Sequence, residues 1–187
     1  MANASKNKGK SWEREIAKLL SSIYGVNFQR VPNSGAYTGG FNAFRIQSLT
    51  PEQLLLASGD IILPSFLSHV SIECKFYKDF TFESLLTTNN QFNGWLEQAS
   101  VGGKIPFVIF KINRKGGFIA FPTKYQELLS VDCNYLIYSL STPKITVPVK
   151  FTVVKMEGFF EKNKNTLVGL SEENYLKYNS ERPQDRI

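Results

Sequence analysis

The chain has 187 residues, 42% hydrophobic and 13% aromatic, enough for one substantial core and too few for two, so one domain with extensions is expected. A formal net charge of +6 and a pI near 9.3 suit a polyanionic partner, although charge by itself leaves an anionic membrane or a merely soluble surface open. Two cysteines exclude a disulfide framework and a cysteine-rich zinc site, no apolar run approaches the roughly 20 residues that span a bilayer, and the N-terminus lacks the apolar core of a signal peptide, so a soluble protein of a reducing cytoplasm is expected.

Residues 1–10 carry Lys6, Lys8 and Lys10 without an acid, which reads as a flexible basic arm or a solubilising tail. From Ser11, a plausible N-cap, the stripe Trp12, Ile16, Leu19, Leu20 and Ile23 marks an amphipathic helix ending near Gly25. Residues 26–31 alternate like a half-buried strand, and Pro32 to Gly35 end it. A long Gly-rich loop follows with Tyr37, Phe41 and Arg45, then a short helix from Thr50 to Ala57 that Gly59 stops.

Asp60 to Leu63 and His69 to Phe76 read as two apolar strands whose order suggests a hairpin. Residues 88–101, with Phe92, Trp95, Leu96 and Ala99, have helical spacing, and Ile105 to Ile112 reads as a strand buried on both faces. Arg114 to Gly117 is a turn into a strand over Phe118 to Phe121. The order implies an α/β domain with a mixed central sheet flanked by helices. Beyond Pro122 the expectations are a helical stretch at Tyr125 to Leu129, strands at Tyr135 to Leu140 and Val147 to Lys155, and a polar tail over 171–187. The expected divisions are thus an arm at 1–10, a core at 11–122 with an insertion at 36–58, a β-rich extension at 123–170 packed on the core, and the tail.

The chemistry concentrates on the two central strands. Side chains alternate along a strand, so Glu73 and Lys75 share one face while Ile72, Cys74 and Phe76 point into the core. Asp60 at the head of a neighbouring strand brings a second carboxylate beside Glu73, giving two hard oxygen ligands for Mg2+, or Mn2+ in its place, with an ammonium next to them. Such a set suits phosphodiester hydrolysis, which needs an activated water and a cation to offset charge building on the phosphate. The backbone carbonyl of Cys74 is a candidate third ligand, and Lys75 either orients or deprotonates water. Amid anions a lysine tends to keep its proton, which favours orientation.

The ordered set Gly9-x-x-x-Glu13-Arg14-Glu15, Arg30-x-Pro32-x-Ser34-Gly35, Gly59-Asp60 and Ile72-Glu73-Cys74-Lys75 resembles the PD-(D/E)XK nucleases, whose core is restriction-endonuclease-like, and within them the archaeal-type Holliday junction resolvases. The similarity covers roughly residues 6–121. It implies a homodimeric, Mg2+-dependent endonuclease that makes paired nicks in four-way DNA junctions. By motif position Glu13 completes the metal site, a choice that helical geometry leaves open between Glu13 and Glu15. Ser34 would contact the scissile backbone, Arg30 a phosphate, and Gln91 is the glutamine of the following helix, with Gln98 competing. The insertion at 36–58 departs from the family and bears on substrate choice more than on chemistry.

The catalytic candidates are therefore Glu13, Asp60, Glu73 and Lys75. The candidate DNA contacts are Lys6, Lys8, Lys10, Arg30, Asn33, Ser34, Arg45, Lys78, Gln91, Arg114 and Lys115. Branched DNA is the expected partner, no membrane is expected, and the site of action is the cytoplasm, that of the host if the chain is viral. The alternatives are a restriction-like or repair nuclease acting on duplex, flap or single-stranded DNA, and a DNA-binding module without catalysis.

Overall fold

A computed structural model describes residues 2–32, 59–87, 91–100, 104–141, 148–171 and 173. Helix α1 spans Ala2–Tyr24 and buries Trp12, Ile16, Ala17 and Leu20 along one stripe. It begins well before Ser11, which is an interior residue and not a cap, so the expected flexible arm is the first turns of the helix. Ala2 to Lys10 contain no proline, and Ala and Lys favour helix strongly enough to carry Gly9. The helix stops at Gly25, whose φ of 73° and bond from its N–H to the Ser21 carbonyl (2.9 Å) form a left-handed C-terminal cap.

Two short strands follow, β1 (Gln29–Arg30) and β2 (Ile61–Ile62), paired antiparallel with Arg30 opposite Ile61. The main sheet has five strands in the order β3-β4-β5-β7-β6. They are β3 (Val70–Tyr77), β4 (Ile105–Ile112), β5 (Gly116–Pro122), β6 (Leu136–Leu140) and β7 (Val149–Lys155). Only β3 and β4 run parallel, joined through helix α2 (Gln91–Ala99); the other pairings are antiparallel. The sheet is mixed and helices cover both faces, as the composition and element order imply.

The period of two along β4 distributes the core. Phe107 and Ile109 face the side of α1 and of α3 (Phe159–Gly169), while Val108, Phe110 and Ile112 face α2, where they meet Phe92, Trp95 and Leu96. The strand is buried on both faces, as its continuous apolar run implies.

Three expectations are corrected. β2 and β3 are not a hairpin: β2 pairs with β1, and the tie to β3 runs through the preceding Asp60, whose N–H donates to the Ile72 carbonyl (2.7 Å). β2, two residues long, lacks the length for a ladder, because Pro64 closes this stretch and leads into a 3-10 turn over Ser65–Leu67. The stretch expected to be helical at Tyr125 to Leu129 is not an α-helix: a 3-10 turn over Thr123–Tyr125 runs into turn residues, with the Leu129 N–H bonded to the Tyr125 carbonyl (3.2 Å). Finally, residues 123–170 are not an extension: β7 pairs with β5 and β6 with β7, so both belong to the central sheet, and α3 closes the α1 face. The insertion at 36–58, with its expected helix, and residues 174–187 of the tail lie outside the described residues.

Candidate active site

Asp60 is placed by backbone geometry. Gly59 has a φ of 83°, and a Cβ there would lie 2.6 Å from the Ile72 carbonyl oxygen, so only glycine lets the chain pass this close to β3. The Asp60 carbonyl accepts from the Val31 N–H (2.8 Å), and its carboxylate Oδ2 accepts from the Cys74 N–H (2.8 Å). Cys74 therefore contributes its N–H, where the sequence pointed to its carbonyl. Both groups of a strand residue point to the same edge, so that carbonyl is turned toward Asp60 too.

Glu73 is buried at 3% exposure. Its carboxyl is pushed up to about 7 from an ordinary 4.5, first by burial and then by Asp60, which repels a second charge and accepts a hydrogen bond from the protonated form. Lys75 opposes this shift: its Nζ donates to Glu73 Oε1 (2.6 Å) and to Gln98 Oε1 (2.9 Å). Burial acts to lower the Lys75 ammonium, but the charge of Glu73 and the bond to it prevail, and the net shift is upward. Lys75 is therefore a cation at neutral pH and not a free base.

Glu13 and Glu15, which helical spacing leaves equivalent, are separated by their surroundings. Glu13 is buried, with Oε2 held by Arg30 Nε at 2.7 Å, whereas Glu15 is half exposed and meets Lys111 at 2.8 Å. Asp60, Glu73 and Glu13 all act on the Cys74 thiol, which burial and then these charges push well above its ordinary value. Trp12, beside Glu13, anchors α1 to the sheet through Nε1 donating to the Ile109 carbonyl (3.2 Å).

Of the candidate DNA contacts, Lys8, Lys10, Lys78, Gln91, Arg114 and Lys115 are exposed. Lys6 lies in α1, and Lys8 Nζ sits 5.9 Å from the Phe76 ring centroid, close to the site strand. Gln91 stands at the start of α2, about two turns from the residue that touches Lys75. The glutamine at the site is Gln98, on the flank of the stripe formed by Trp95, Leu96 and Ala99. Arg114 and Lys115 occupy the β4–β5 turn, and Lys115 lines a cleft with Leu19, Lys155 and Glu161 that includes none of the site acids. Asn33, Ser34 and Arg45 lie outside the described residues. Sequence reasoning missed the Glu13–Arg30 pair and the Cys74 N–H, because both depend on how β1 and β2 approach β3.

Among the described residues no group of three or more His, Cys, Asp and Glu side chains is gathered as a metal cage. Asp60 and Glu73 nevertheless fit a hard divalent cation. Both are oxygen donors, they face one another, and their mutual repulsion is what such a cation relieves. The third acid, Glu13, is held by Arg30.

An Asp reaching the edge of a strand that carries Glu-x-Lys, in a mixed sheet between helices, defines a nuclease of the PD-(D/E)XK class on a restriction-endonuclease-like core. The chain belongs to the family described as "Phage putative PDDEXK endonuclease", whose sequence model matches residues 4–169. That span ends with α3, so β6, β7 and α3 fall inside the family's own unit. The chain is similar to "Protein D14" of Escherichia phage T5, with 32% identity over 129 residues covering 64% of this chain and 72% of that protein. No solved structure matches it. No helix among the described residues is long and apolar enough to cross a membrane.

Proposed function

We propose that the chain is a Mg2+-dependent DNA endonuclease, with Mn2+ as a substitute, that acts on branched DNA and nicks four-way junctions in pairs as a homodimer in the cytoplasm of a phage-infected host. The observation that carries the nuclease chemistry is the pairing of the Asp60 and Glu73 carboxylates with the Lys75 ammonium bound to Glu73. Branched DNA and the dimer rest on the resemblance of the motif set to junction resolvases, the host on the phage relative and family, and a polyanionic substrate suits the +6 charge.

Asp60, Glu73 and the Cys74 carbonyl would hold the cation, with Glu13 as a further acid. When bound, the cation supplies charge neutralisation at the phosphate and acidifies a water. The protein's own contribution is electrostatic and geometric. Lys75 keeps its proton, is aimed by Gln98, and offsets charge on the phosphate or orients the attacking water. The Cys74 N–H fixes the Asp60 carboxylate.

The test is cleavage of a labelled four-way junction beside its component duplex, in Mg2+ or EDTA, by wild type, Glu73→Ala and Lys75→Ala. We expect metal-dependent paired nicks in the junction, lost in Glu73→Ala and reduced on the order of a hundredfold or more in Lys75→Ala with binding retained. Equal cutting of duplex would replace the junction reading with a restriction-like or repair activity. Binding without cutting in either metal would leave a DNA-binding module.

A further inference from the structure

Arg30 and Glu13 are an ion pair at the margin of the site, with Nε to Oε2 at 2.7 Å and side-chain exposures of 21% and 12%. A guanidinium carries five N–H donors. Glu13 takes the Nε of Arg30, and the terminal nitrogens of a guanidinium are the pair that suits a phosphate. Glu13 is brought to the site through Arg30, which lies opposite Ile61 in the β1–β2 pairing, next to Val31, whose N–H donates to the Asp60 carbonyl (2.8 Å). The helix beneath Glu13 is fixed, because the adjacent Trp12 is bonded to the Ile109 carbonyl of β4. Any change in the partner of Glu13 therefore falls to side chains.

Resting on the nuclease reading above, we propose that Arg30 is a positioning residue that couples substrate to metal: a DNA phosphate takes its guanidinium, and the released Glu13 joins Asp60 and Glu73 as the third acid of the metal site. A phosphodiester offers the guanidinium a paired acceptor as good as a carboxylate. The cation then replaces the charge partner that Glu13 gives up. In the DNA-free protein Arg30 instead competes with the cation for Glu13, so metal binds weakly until substrate arrives. Coupling of this kind is reciprocal, and the cation must tighten DNA binding by the factor that DNA tightens the cation.

The experiment titrates Mn2+ into the full chain without DNA, reading free ion by its electron paramagnetic resonance signal, for wild type, Arg30→Gln, Arg30→Lys, Glu13→Gln and the double variant Arg30→Gln with Glu13→Gln. Circular dichroism checks that each is folded, and Arg30→Lys, which keeps the charge without the fork, serves if Arg30→Gln is not. Arg30→Gln should bind Mn2+ roughly tenfold more tightly than wild type, Arg30→Lys should move the same way by less, and Glu13→Gln in the Arg30→Gln background should remove the gain. In a second arm, anisotropy of a labelled junction with and without Ca2+, the strand checked intact on a gel, should show a larger tightening by the cation in wild type than in Arg30→Gln, where only the direct contact of cation and phosphate remains. Unchanged Mn2+ affinity in both Arg30 variants, or a gain that survives loss of Glu13, overturns the coupling and leaves the nuclease reading standing. Failure of both wild type and Arg30→Gln to bind Mn2+ overturns that reading, and the coupling with it.

Discussion

Glu73 gives the site a pH dependence that is measurable without substrate. In the folded chain its carboxyl holds a proton up to about pH 7, through burial and the neighbouring Asp60, against an ordinary value of 4.5. Folding therefore takes up a proton between those values. The corresponding stability is fully present below about pH 4.5 and is lost as pH rises through 7. In EDTA, the melting temperature of wild type should fall from pH 5 to pH 8 more steeply than that of Glu73→Gln, which cannot ionise. A divalent cation that binds only the folded site should restore the loss at pH 8 in wild type and not in the variant. Parallel pH profiles for the two proteins would show that Glu73 is not perturbed. At this scale much was legible in the sequence. Alternation along β3 places Glu73 and Lys75 on one face, and the short step from Asp60 to Glu73 brings the second acid to them. The missing part was set by non-local contact: the chain at Gly59 must pass so close to β3 that a Cβ there would lie 2.6 Å from the Ile72 carbonyl oxygen, before the Asp60 carboxylate meets the Cys74 N–H.

Elements with a clean periodicity were legible, and those whose stripe is interrupted by a polar residue were not. The stripes of α1 and α2, and the continuous apolar run of β4, each announce their burial. Helix α3 does not, because Asn163 occupies the position between Phe159, Phe160 and Leu167 where an apolar residue would mark the period. That asparagine is completely buried and fully used. Its Oδ1 accepts from the Ser130 N–H (2.6 Å), and its Nδ2 donates to the carbonyls of Ser130 and Phe159 (both 2.9 Å). Asn163 thus docks α3 to the turn after β5, and no local propensity reports such a role. Asn163→Leu removes all three bonds, at roughly 0.5–1.5 kcal/mol for each. We expect about 2–3 kcal/mol lost in urea denaturation at unchanged m-value, with Mn2+ affinity retained. A change below about 0.5 kcal/mol, the level of an ordinary surface substitution, would mean that these bonds do not hold the helix.

At the scale of the whole molecule, the resemblance carried by the motifs stops near residue 121, whereas the sheet does not. β7 inserts between β5 and β6, with Ile119 opposite Val154 and Ala120 opposite Val153. Its Phe151 and Val153 belong to the core under α2, and its Val154 to the core under α1. Helix α3 adds Phe159, whose ring lies 5.6 Å from that of Phe121 and 6.5 Å from that of Phe107. The strands after Pro122 carry no catalytic candidate and no motif, so their place had to be read from pairing, which alternating short strands do not specify by themselves. A chain ending at Pro122 would retain every catalytic candidate, yet it would open the β5 edge and strip one side of both core layers. We expect that fragment to show no cooperative thermal unfolding and no cleavage, while a fragment of residues 1–171, which keeps the family span, should unfold cooperatively and cut. Cooperative folding and metal-dependent cutting by residues 1–122 would show that β6, β7 and α3 are dispensable to the nuclease core, contrary to the topology of the sheet.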